Sequence, residues 1–260
     1  MLFLAGCRAT AADTYTAGDS SIYCGVATGT DSARQICLVA NADHGSNTMD
    51  TDGWGGGGKC GGLVADGGGN LNMTATLTAF NADGFELTWV RAVTNRKSIA
   101  LAIKGGSWQA GGVTIDGNTG SATASVSGLP FSPKGVWLMS RMATEQSGVT
   151  TGTEDRWGHG MGTSPSARQS WGQQDTDAIG TSETRNRIEY DQILCWPSST
   201  GTLLTAHDLN AMNADGFDLI VDTAGGVASE WIGYLTCGDA PISPPPPIYA
   251  NFAPTRAASW

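Results

Sequence analysis

Charge is what this sequence has least of. Only 15% of its 260 residues are Asp, Glu, Lys or Arg, against roughly 25% in ordinary globular domains. What charge there is leans acidic, 24 Asp and Glu against 14 Lys and Arg, for a formal net charge of −10. A surface of that sign repels phosphate, which excludes nucleic acid held through its backbone and disfavours anionic membranes as partners. No apolar run approaches the ~18 residues of a spanning helix, so no membrane partner is expected. Histidine is scarce, at three. The six cysteines (Cys7, Cys24, Cys37, Cys60, Cys195, Cys237) show no CxxC spacing, so no zinc site, no other metal and no cofactor is expected. Leu4-Ala5-Gly6-Cys7 matches a lipid-attachment box. The six residues before the cysteine include no basic one and are too few for a signal peptide.

Glycine, by contrast, is abundant at 37 residues, and many small polar residues suit short strands joined by turns. One pattern occurs twice. Asn81-Ala82-Asp83-Gly84-Phe85-Glu86-Leu87 returns as Asn213-Ala214-Asp215-Gly216-Phe217-Asp218-Leu219, an offset of 132. Ser32-Ala33-Arg34-Gln35 returns as Ser166-Ala167-Arg168-Gln169, an offset of 134. Two motifs sharing nearly one spacing predict two copies of a ~130-residue unit, arranged as tandem domains. The cysteines do not recur between the copies, so they are expected to be buried free thiols rather than disulfides of the unit.

Period-two alternation dominates, as in Met73, Ala75, Leu77 and Ala79 and in Phe85, Leu87 and Trp89. Residues 36–40 and 136–139 read as central strands, and the Asn-Ala-Asp-Gly tetrads as hairpin turns. The pattern predicts loops over the glycine-rich residues 53–58, no clear strand over 147–180, and one short helix over 205–212. The expected fold is all-β: two tandem β-sandwich, jelly-roll-like units with long Gly-rich loops. The first unit spans 1–106 and the second 107–240, and a proline-rich arm occupies 241–260. By the phase of the repeat, the first unit's counterpart of residues 112–134 would precede Met1. In the arm, Pro244, Pro245, Pro246 and Pro247 form a stiff polyproline stretch. Tyr249, Phe252 and Trp260 are its candidate assembly anchors, and Phe252-Ala253-Pro254 echoes Phe131-Ser132-Pro133.

The duplication filters candidate chemistry, because a site built into the unit should recur. His159, His207, Glu154 and Asp155 face Val26, Ala75, Ser21 and Ile22 at the repeat offset, and no Gly-x-Ser-x-Gly elbow is present. No catalytic residue is assigned, and an enzyme would need a pocket joining His159 to Asp155 or Glu154. Asp50-Thr51-Asp52-Gly53 and Asp175-Thr176-Asp177 resemble fragments of calcium loops without the closing Glu. Trp54, Trp157 and Trp171 are candidate glycan-stacking rings, while Trp89, Trp137 and Trp231 are expected in the core.

Asp-Gly-Phe-x-Leu-x-Trp at residues 83–89, the strands of residues 99–105 and 232–238, and Leu129-Pro130-Phe131-Ser132-Pro133-Lys134-Gly135-Val136 resemble phage-associated proteins assigned to virions or tails. That resemblance rests on strand-and-turn residues and supplies no catalytic residue. It implies a non-enzymatic virion structural protein, a capsid-decorating or tail component. Its expected partners are copies of itself and other virion proteins. A host-surface glycan is the partner if the loop aromatics bind sugar, and a hydrolase with its site in the second unit is the remaining alternative.

Overall fold

A computed structural model describes residues 1–7, 20–42, 51–64, 71–90, 97–145, 150–152, 154–176 and 183–239. Among these residues the chain forms strands and a single 3-10 turn at Ser32–Arg34. In the first half these are β1 (Leu2–Cys7), β2 (Ser20–Ala27), β3 (Gln35–Ala42), β4 (Thr51–Gly57), β5 (Gly61–Val64), β6 (Leu71–Phe80), β7 (Phe85–Val90) and β8 (Lys97–Ala102). The second half begins with β9 (Ser107–Ile115), β10 (Thr123–Val126), β11 (Pro133–Ser140), β12 (Thr150–Gly152), β13 (Glu154–Ser164) and β14 (Ala167–Thr176). It continues with β15 (Glu183–Glu189), β16 (Leu194–Pro197), β17 (Leu203–Asn213), β18 (Gly216–Thr223) and β19 (Glu230–Gly238). The fold is all-β.

Two six-stranded sheets, β12-β4-β3-β2-β1-β8 and β15-β14-β13-β11-β19-β9, are each faced by a smaller sheet, β5-β6-β7 and β10-β18-β17-β16 respectively. Every pairing among the described residues is antiparallel; consecutive strands pair as hairpins such as β1–β2 and β13–β14, while β1–β8, β11–β19 and β9–β19 join strands distant in sequence. Five strands of each large sheet follow the same order. The row Leu4–Gly25–Cys37 with Ala100 matches the row Leu138–Gly160–Ser170 with Tyr234, at offsets of 133 to 135 residues. Phe85 and Phe217 stand at the start of the second strand of a hairpin, first and second residue respectively, opposite Phe80 and Met212. Both hairpin turns carry one bond: Asn81 Nδ2 donates to Glu86 and Asn213 Nδ2 to Asp218, each at 3.0 Å.

Three buried clusters lie between four layers. Leu2, Leu4, Tyr23, Val39, Trp54 and Leu77 fill the first sandwich. Leu138, Trp196, Leu209, Phe217, Ile232 and Tyr234 fill the second. The outer faces of the two large sheets meet through Cys24, Val26, Ile36, Leu38, Met139 and Trp231. Gln35 ties two layers of the first sandwich: its side chain accepts from Leu77 N–H at 2.7 Å and donates to the Leu77 carbonyl at 3.1 Å. None of the six cysteines is in a disulfide; Cys24, Cys37, Cys60 and Cys195 are buried, Cys7 is exposed and Cys237 half-buried.

Three local expectations fail. Residues 205–212 lie in strand β17, not a helix, because bulges at Ala206/His207 and Leu209/Ala211 break period two and bring successive residues inward. Residues 53–57 form most of strand β4 rather than a loop. The stretch without a clear strand contains two long ones, β13 and β14. The buried face of β13 is built of glycine and that of β14 holds one between Ser170 and Gln174: a Cβ on Gly160 would overlap the Ile193 carbonyl, and one on Gly172 the Cys195 carbonyl. Absent side chains let β16 press its backbone onto the sheet.

Candidate functional site

The two sandwiches differ in how they are closed. In the second, β9 extends the large sheet beyond β19 and β10 extends the small sheet beyond β18. Ile115, Ala124, Val126, Leu129 and Phe131 thereby join the core, and Phe217, Leu219 and Val221 are at most 1% exposed. In the first sandwich no described strand stands beside β8 or beyond β7. Phe85, Leu87 and Trp89 are only half-buried as a result. Ala100 and Ala102 are exposed, whereas their row partners Tyr234 and Thr236 are buried.

Among the described residues nothing pairs with the outer edge of β8, which after Lys97 carries Ser98-Ile99-Ala100-Leu101-Ala102, without charge or proline. Ile99 is 73% and Leu101 53% exposed. Sheet edges are ordinarily blunted by charge, proline or brevity. The far edge of the other large sheet follows that rule, since β15 carries Arg185, Arg187 and Glu189. β12 has three residues, and β16 ends in Pro197. Beyond Lys97, β8 carries neither charge nor proline, so the N–H and C=O groups of residues 98–102 form a template for another strand. Between its end and the β6–β7 turn lies an open cleft of about 580 Å³, bounded by residues 81–84 and 102–106, with Met1, Phe80 and Trp108. The expected assembly arm (Pro244, Pro245, Pro246, Pro247, Tyr249, Phe252 and Trp260) lies outside the described residues.

A second feature lies on the outer face of the other large sheet. The rings of Trp137 and His159 stack at 5.5 Å and 7°, and His159 and Trp171 at 6.4 Å and 11°. Trp157 meets both His159 and Trp171 edge-on. Grooves of about 440 and 320 Å³ share Trp137, Met161 and Gln169 as walls, and Tyr190 borders the smaller one. Of the three expected sugar platforms, Trp171 lies in this groove and Trp157 packs beneath it. Trp54 is a correction: at 2% exposure it belongs to the first sandwich's core, and a stacking platform needs a free face. Trp137, expected in the core, is half-buried and lines both grooves.

The acid–base candidates are placed apart. Burial lowers the His159 pKa to about 4, and its Nε2 lies 3.9 Å from Cys24 Sγ. Burial pushes that thiol up to about 12, so the pair is neutral thiol and neutral imidazole rather than an activated nucleophile. Asp155 is bound by Arg141; burial raises its carboxyl above the ordinary range, against the pull of that guanidinium. Glu154 pairs with Arg156. Asp175 accepts from Gln173 at 3.0 Å, while Asp50 and Asp177 lie outside the described residues.

One polar cluster escaped sequence reasoning. His207 Nε2 lies 3.1 Å from Glu230 Oε2, and both side chains are fully buried. Ser140 Oγ sits 3.1 Å from Glu230 Oε1 and 2.9 Å from the Trp231 carbonyl, and accepts from Met142 N–H at 3.0 Å. Three familiar residue types meet, but the serine faces the carboxylate rather than the imidazole. A nucleophile needs its base within reach, so the cluster reads as a buried tie between β11, β17 and β19. The only sequence signal was polar residues amid apolar strand positions. Comparison of the chain with protein-family models, with curated proteins and with solved structures gives no match.

Proposed function

We propose that this chain is a non-enzymatic structural protein of a bacteriophage particle, a capsid-decorating or tail component. It works by assembling with copies of itself and with neighbouring particle proteins. Its two sandwiches are read as two copies of one unit, over 1–106 and 107–240. The observation that carries the reading is the edge of β8, which among the described residues has no neighbour and after Lys97 carries no charge. A strand from another chain added there gains main-chain hydrogen bonds and covers Ile99 and Leu101. The particle setting rests on the motif resemblance. The test is sedimentation velocity across a concentration series, with wild type against Leu101→Lys. Concentration-dependent association that the charge abolishes supports the proposal. A wild type that stays monomeric at every concentration, and is missing from purified particles by mass spectrometry, contradicts it.

The Trp137–His159–Trp171 row favours a second reading, binding of a host-surface glycan in the adjoining groove. Aromatic faces stack on the apolar faces of sugars. Trp171→Ala and Tyr190→Ala should then abolish retention on immobilised glycans without unfolding the chain. Equal retention of variant and wild type sinks this reading.

A further inference from the structure

The backbone of β8 restricts what can pair with it. Met1 and Ile103 exchange both main-chain hydrogen bonds, each at 2.9 Å, and the β1–β8 ladder continues to Cys7 and Lys97 without a register shift. Bonded and non-bonded pairs alternate along an antiparallel ladder. The N–H and C=O groups of Leu101 and Ile99 are therefore turned to Phe3 and Ala5 on β1, and those of Ser98, Ala100 and Ala102 are turned outward. The second sandwich has the same parity. Ala110 N–H donates to Thr28 Oγ1 at 2.9 Å, away from β19. Its neighbour Gly111 is turned toward β19, opposite Tyr234, which stands in the row of Ala100. The groups that β19 offers to β9 are thus the ones that β8 offers outward.

Those outward residues are symmetric about Ala100. Two copies of β8 set antiparallel, with Ala100 on a two-fold axis, bring Ala100 against Ala100 and Ser98 against Ala102. Every outward N–H and C=O of residues 98–102 then finds a partner, about six ladder bonds in all. The same register sets Ile99 against Leu101 of the other copy, twice, in the closer non-hydrogen-bonded pairs. These exposed side chains cover each other on the face that carries Phe3. A slip of one residue would set outward groups against inward ones. A slip of two would put Ala102 opposite Arg96 or Ser98 opposite Lys104, outside the strand.

Other edges of the large sheets offer β8 a poorer match. β15 carries Arg185, Arg187 and Glu189 along its length, and Thr28 already meets the outer edge of β9. We propose that β8 pairs with β8 of a second copy, antiparallel about Ala100, so that two six-stranded sheets become one continuous sheet. The proposal rests on the reading of β8 as the assembly edge and adds its partner and its register. A two-fold contact uses the same patch on both copies, so this edge saturates at a dimer and larger assembly must use other surfaces.

Disulfide trapping tests it, with Ile99→Cys and Leu101→Cys prepared separately in a Cys7→Ser chain. Both positions are more than half exposed, so neither substitution disturbs a core. In the proposed register the Cα atoms of residue 99 and of residue 101 in the other copy are about 4.5 Å apart, within reach of a disulfide. Residues 99 and 99, or 101 and 101, are diagonal neighbours at about 7–8 Å, too far for one. The two variants mixed should form a 99–101 disulfide, mapped by mass spectrometry, at least tenfold more than either alone forms any. Wild type should stop at a dimer in sedimentation velocity. A dominant 99–99 or 101–101 disulfide overturns the register. Association that Leu101→Lys abolishes, but that grows past a dimer or traps no disulfide between residues 99 and 101, overturns the self-pairing and leaves the assembly reading standing with another strand as partner. Association that Leu101→Lys leaves intact, or none at any concentration, overturns both.

Discussion

Replacing His207 by leucine should be among the most damaging single changes in the second sandwich. The imidazole is fully buried and holds Glu230 Oε2 at 3.1 Å, while Gly117 and Gly226 crowd the same oxygen. Leucine leaves that carboxylate fully buried with only Ser140 on its other oxygen. Breaking a buried pair on one side costs about 3–5 kcal/mol, more than about a hundredfold in the folding constant. Adding Glu230→Gln should recover part of the loss, because a neutral amide is cheaper to bury than a lone carboxylate, and the coupling between the two changes should exceed about 1 kcal/mol. Thr205→Val, two residues along the same strand, removes a buried hydroxyl with no protein partner and should stay within about 1 kcal/mol of wild type. Urea unfolding followed by tryptophan fluorescence is a suitable assay, since Trp196 meets the His207 ring edge-on at 5.4 Å. A loss below about 1 kcal/mol for His207→Leu would refute the reasoning, as would a double variant no better than the single.

Gly160→Ala drives a Cβ into the Ile193 carbonyl and should cost about 1–3 kcal/mol, whereas Gly120→Ala, with nothing nearby, should be nearly neutral by thermal unfolding. His159 titrates near 4 when folded against 6.5 unfolded, so between those values the unfolded chain binds more protons and stability falls as pH drops. Wild type should lose up to about 3 kcal/mol more than His159→Gln between pH 6.5 and pH 4; parallel pH profiles would contradict the burial of that ring. In the native state a thiol reagent should label exposed Cys7 quickly, and Cys24 and Cys37 only on unfolding. Fast labelling of Cys24 would mean that the face between the large sheets opens.

The strands that sequence reasoning could find were those whose buried side carries bulk. Met73, Ala75 and Leu77 alternate with polar residues and are buried as that alternation requires. β13 hid because its inward residues are Gly158, Gly160 and Gly162, so packing is done by an approaching backbone rather than by side chains. β17 hid because two bulges turned its period toward that of a helix. Trp54 read as a loop aromatic for the first reason, its neighbours being glycines that let the sheets close. The Ser140–Glu230–His207 tie was not legible, because its members come from three strands far apart in sequence.

The central claim is that the β8 edge is where this chain meets another strand. Hydrogen exchange of the β8 amides (Lys97–Ala102), followed while the native protein associates, tests it most directly. The account predicts that these amides slow at least tenfold on association, that those of charged β15 do not, and that Leu101→Lys removes both the slowing and the association. Association that leaves β8 exchanging as fast as in the monomer, with protection gained at another surface instead, would contradict it.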